Sequence, residues 1–249
     1  MIRPIVRRPG RGKAAMARSP IFFLAVLTLP AHAADFPNIG MLAQDEFRNI
    51  SRDLGAAFSY KGVTPATPLG PLGLDVGVEV TDTQMEHSTL FARAGAGGQS
   101  RLVIPKLHIH KGLFAGLDIS AFAAGAPEVS ASLFGAGLRW AMVEDGLAMP
   151  AIGVRASATR ATGLGDLKVS TAAIDLTVSK KFTALTPYVG AGTVRIQSSA
   201  SSTGLNEERI NQGRVFGGLN VNLLAVNLAF EAEKMGDNLS LSAKVGWRF

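Results

Sequence analysis

The sequence predicts an all-β, antiparallel, up-and-down transmembrane β-barrel. Three observations carry that prediction. Residues 239–249 alternate strictly, with Leu239, Leu241, Ala243, Val245, Trp247 and Phe249 on one face and Ser240, Ser242, Lys244, Gly246 and Arg248 on the other. A wall between lipid and a polar lumen needs that alternation, with aromatic residues at the interface. The same pattern recurs from residue 54 onward, as runs of about 8–13 residues separated by turn-rich gaps. Beyond its first 33 residues the chain has no apolar run approaching the roughly 20 residues of a spanning helix. If it crosses a membrane, it does so as a closed barrel.

Residues 1–33 read as a cleaved signal peptide. Arg3, Arg7, Arg8, Arg11, Lys13 and Arg18 stand without an acid, followed by an apolar core from Ile21 to Leu29 and then Ala31-His32-Ala33. Met16 is a second candidate start. These six bases account for the whole net charge of +6: the chain has 25 basic residues, so 19 remain against 19 acidic ones. The basic pI therefore gives no reason to expect a nucleic-acid partner. The chain contains no cysteine. That excludes disulfides, a lipidated cysteine anchor and cysteine-ligated zinc or iron–sulfur sites.

Residues 34–52 form an N-terminal segment before a barrel of residues 53–249. Ala43, Phe47, Ile50 and Leu54 recur at helical spacing. They read as a short amphipathic helix in the lumen or on the rim, or as a misread first strand. Strands are expected near 54–61, 72–82, 100–109, 113–123, 132–143, 150–160, 168–180, 188–197, 213–222, 225–234 and 239–249. That odd total conflicts with the even number of strands in single-chain bacterial barrels, so about 12 are expected, with about 10 as the alternative. The proline-rich stretch Thr64 to Pro71 reads as a rigid connector. Counting back from Phe249, the gaps fall alternately on two sides. The two longest, 83–99 and 198–212, fall on the side opposite the C-terminus, which makes them outer loops. Tyr60, Phe114, Trp140, Phe182, Tyr188 and Trp247 lie beside gaps on the C-terminal side, as one aromatic belt.

With aliphatic faces toward lipid, the opposite faces give the candidate lumen residues. They are Asp75, Glu79, Asp118, Asp175, Glu231 and Glu233 against Arg139, Arg155, Arg195, Arg214, Lys244 and Arg248. A selective pore carries an excess of one sign. Balance favours cross-lumen ion pairs. His108 and His110 share a strand face, but zinc takes three or four ligands. The pair reads as a polar patch beside a turn. A serine nucleophile with a histidine base would draw on serines such as Ser120 or Ser157 and on His87, His108 or His110, but no nucleophile-elbow motif is present. The glycines at 95–97 and 163–165 carry no phosphate-loop lysine. No enzyme activity, metal or cofactor is expected.

Residues 53–61, 105–113 and 242–249 resemble a group of uncharacterised proteobacterial outer-membrane β-barrel proteins, of a small porin-like kind. The C-terminal strand, with Trp247 and Phe249, also resembles the signal read by the barrel-assembly machinery. The resemblance implies a location in the bacterial outer membrane, with lipid and lipopolysaccharide around the barrel, and implies no activity. The expected function is a narrow passive pore for small solutes. A closed structural or surface-binding barrel acting through loops 83–99 and 198–212 is the alternative, and a lipid-modifying enzyme the third reading.

Overall fold

A computed structural model describes residues 36–201 and 203–249. The expected signal peptide lies outside the described residues. Ten antiparallel strands form one closed barrel, each beside its sequence neighbour. They are β1 Leu74–Gln84, β2 Arg101–Gly112, β3 Leu117–Ala126, β4 Ala131–Val143, β5 Ala151–Thr162, β6 Leu167–Ser179, β7 Leu185–Ala200, β8 Glu208–Leu223, β9 Val226–Met235 and β10 Asn238–Arg248. The seam is β1 against β10, with Val76 opposite Trp247, Val78 opposite Val245 and Glu79 opposite Lys244. Closure leaves no unpaired edge. Helix α1 spans Gln44–Phe58, and the short α2 spans Ser88–Arg93. Among the described residues no helix is long and apolar enough to cross a membrane.

The count of ten corrects the expectation of twelve. The run expected as a first strand at 54–61 continues α1 to Phe58 and then becomes extended chain. The helical period of Phe47, Ile50 and Leu54 simply runs on through Ala57 and Phe58, all buried. The barrel encloses this stretch on every side, so residues 53–61 are all buried and no polar face marks the helix there. The boundary placed at residue 53 therefore falls inside a helix. Two acids, Asp45 and Glu46, sit in the first turn, where the helix dipole favours them. The Glu46 carboxylate accepts the Ala43 amide at 3.0 Å.

The lower end is where β1 begins and β10 finishes. The longest connection, 85–100, stands at the upper end, together with the seven-residue connection 201–207 between β7 and β8; one of equal length, 144–150, joins β4 to β5 at the lower end. Connections 85–100 and 201–207 fall at the two gaps expected as the longest; the second is much shorter than expected because β7 and β8 extend to 16 residues each.

Outward faces carry an apolar band. Val78, Leu107, Ile109, Leu138, Ile174, Leu176, Val189, Val215, Phe230, Leu241 and Val245 are all exposed. Phe114, Trp140, Phe182, Trp247 and Phe249 are exposed at the lower margin. Tyr60 and Tyr188, expected in that belt, instead point inward and are buried. Inside, the upper lumen is apolar: Phe36, Ile39, Leu42, Phe47, Ile50 and Leu54 pack against Phe91, Leu102, Ile104, Phe122 and Leu133.

Candidate functional site: a filled lumen

The N-terminal segment runs through the barrel from its upper end to its lower end. The Asn38 amide donates to the Ala94 carbonyl in the upper connection (3.1 Å). Near the start of α1, Gln44 accepts the Asn206 amide (3.0 Å) and Arg48 pairs with Glu208 (2.9 Å). Arg93 of α2 pairs with Glu46. The Ala43 amide, and after it Arg93, holds the Glu46 carboxyl below its usual range. Farther along the helix, the Ser51 and Ser198 hydroxyls share a hydrogen bond of 2.7 Å. Asp53 accepts Asn238 (3.0 Å) and the His87 amide (2.8 Å). Gly55 lies where any Cβ would strike Ile196.

Below α1 the chain is extended, and the wall reaches in to hold it. Arg214 donates to the Tyr60 carbonyl (2.8 Å), and the Tyr60 hydroxyl donates to Ser120 (2.6 Å). Arg139 donates to Thr64 (3.1 Å) and to the Pro65 carbonyl. The Ala66 amide donates to Ser179 (3.1 Å) and the Leu69 amide to Asp118 (3.2 Å). Val63 stands at φ 43°, a left-handed conformation unusual for a β-branched residue. The anchored residues on either side hold it there. A cavity left between Tyr60, His110, Asp118, Arg139 and Arg155 measures about 10 Å³, room for at most one water molecule.

The wall charges form a paired network. Asp75 meets Lys244 (3.3 Å) and Arg248. Glu79 meets Lys106 (2.7 Å) and His108 (2.9 Å). Asp118 pairs with Arg139. Asp175 takes both Arg155 (2.9 Å) and Arg214 (2.6 Å). Glu233 takes Arg214 (3.2 Å) and Lys61, which the threaded segment itself contributes. Glu231 accepts the Tyr188 hydroxyl (2.9 Å). Buried charges cost several kcal/mol unless paired, so the network and the segment are mutually dependent.

Eleven of the twelve candidate lumen residues point inward, all of them buried except the partly exposed Arg248. Arg195 does not: it is exposed on the outer wall. Val194 and Ile196 take the inward positions beside α1, because here the lumen is apolar and the side chains of β7 reverse the assumed rule. His108 and His110 are buried in the lumen, with ring centroids 5.3 Å apart, rather than in a patch at the turn. Among the described residues, no group of three His, Asp or Glu side chains is placed to hold a metal. His87 pairs with Asp53 at 3.1 Å in the upper mouth. Lys61, Lys106, Asp53 and Tyr188 join the site without having been expected there.

No family model and no curated protein matches the sequence. Similar solved structures include the outer-membrane protease OmpT of Escherichia coli, 9% identical over 72% of this chain and 97% of that one, with a TM-score of 0.39. The translocator domain of autotransporter NalP from Neisseria meningitidis is 14% identical over 82% and 95%, also at 0.39. The outer membrane protein OprG from Pseudomonas aeruginosa is 10% identical over 75% and 99%, at 0.36. These are outer-membrane β-barrel proteins of differing roles.

Proposed function

We propose that this chain is an outer-membrane β-barrel sealed by its own N-terminal segment, and that it works as a surface-binding barrel through its upper end. The observation that carries the reading is the occupied lumen: residues 44–69 run its length and are bonded to its wall from Ser198 down to Asp118. The exposed apolar band and the aromatic residues at its lower margin support placement in a lipid bilayer. The alternating C-terminal strand, with Trp247 and Phe249 directed outward, supports recognition by the barrel-assembly machinery. The working surface is then the upper connections 85–100 and 201–207 together with the turn at Ile39–Met41.

Planar-bilayer recording of the folded protein tests this reading, with a heat-modifiability gel as the folding control. The intact protein should be electrically silent. A variant lacking residues 36–69 that still folds should give discrete steps. Ohmic steps from the intact protein would overturn the sealed reading and restore the narrow passive pore. In that case Arg139→Ala or Arg155→Ala should change conductance.

A further inference from the structure

The outer wall of β5 to β8 changes character near the upper end. Up to Ala158, Ala172 and Val215 its outward residues are apolar or small. Above them, one cross-strand row reads Arg160, Ser170, Gln197, Arg209, each residue opposite the next. Lys168 stands one step higher, opposite Ser199, and Arg195 one step lower. Around this row is a cleft of about 470 Å³, lined by Arg160, Thr162, Lys168, Ser170, Gln197 and, at one margin, Glu207.

The charges in the cleft are unevenly used. Glu207 is engaged by Arg209 (3.0 Å) and Gln197 (3.4 Å). Arg160 and Lys168 make no ion pair among the described residues. These two cations therefore stand unpaired beside hydroxyl and amide groups. Guanidinium and ammonium groups with neighbouring hydrogen-bond donors suit a phosphate, and hydroxyl and amide side chains suit a sugar. The charged and polar residues of the cleft face outward, directly above the apolar wall. A ligand there is best completed by an apolar tail lying down β5 to β8.

We infer that this cleft binds the phosphorylated sugar headgroup of a glycolipid in the surrounding leaflet, with its acyl chains on the wall below. The inference rests on the membrane placement proposed above. To test it, the intact protein and an R160Q/K168Q variant are folded into phosphatidylcholine nanodiscs, with and without bisphosphorylated lipid A. Retained glycolipid is then counted by native mass spectrometry after mild extraction. Both proteins should insert into discs of phosphatidylcholine alone; failure of both there would overturn the membrane placement and this inference with it. In lipid A discs the intact protein should retain glycolipid and the variant at least about tenfold less. A K180Q/K181Q variant, equal in charge change but at the lower end, should retain it fully. Equal retention by the intact protein and R160Q/K168Q, or equal loss by both variants, would overturn the cleft while leaving the membrane placement standing. Titration with inorganic phosphate separates the sources: binding as tight as that of lipid A would mark a soluble-anion site and overturn the glycolipid.

Discussion

Asp175 is the residue on which the lower lumen turns, since one carboxylate neutralises both Arg155 and Arg214. Asp175→Ala should destabilise the barrel by about 3–5 kcal/mol, the cost of stranding a buried charge. Urea unfolding from lipid vesicles would measure it, and a loss below about 1 kcal/mol would mean that water reaches the arginines. Gly62 makes the complementary case. A Cβ there would meet the Arg155 guanidinium, which Asp175 keeps from moving aside. Gly62→Val should therefore cost about 1–3 kcal/mol by overpacking, read in the same assay. At this scale the sequence is legible wherever one strand face is clearly polar. Asp75, Glu79, Lys244 and Glu231 lie on such strands. On β2, however, Leu102 and Ile104 are buried while Leu107 and Ile109 are exposed. With apolar residues on both faces, parity is unreadable and Lys106 stays hidden. Arg195 misleads for the same reason, flanked by Val194 and Ile196.

Among the elements, α1 is the one whose role depends on its surroundings. Its period was visible through Leu54, but Gly55 to Tyr60 also alternates, and nothing local says that a barrel encloses it. The chain's lack of cysteine makes a clean test of its position possible. Because the two hydroxyl oxygens lie 2.7 Å apart, Ser51→Cys with Ser198→Cys should form a disulfide under mild oxidation in the folded protein. Absence of the crosslink would argue that α1 sits elsewhere. The strands make a different prediction. Ile174 is exposed in the apolar band of β6, so Ile174→Arg should cost about 2–4 kcal/mol in a bilayer. The same change would be nearly neutral in water, so folding into vesicles and into a water-soluble polymer should give different answers.

Over the whole molecule, the two longest gaps in the sequence, both on one side, made the two ends distinguishable. The threading was not legible, because it joins Asn38 to Ala94 and Ala66 to Ser179, contacts that leave no periodic trace. It places residue 36 at the upper end, while Phe249 stands at the lower end. A peptide epitope inserted between residues 35 and 36 should therefore be detected by antibody on intact cells. One fused after Phe249 should be detected only after the outer membrane is opened. The reverse pattern would invert the orientation.

The seam between β1 and β10 also constrains the order of events in folding. β1 follows directly from the segment that fills the lumen, so the wall's first strand is tethered to its contents. Residues 44–69 must either be laid in place while that seam is still open or be drawn upward through a ring already shut. The second route would drag Arg48, Glu46 and Gln44 past the apolar upper lumen. The first requires only that the pairing of β1 with β10 come last.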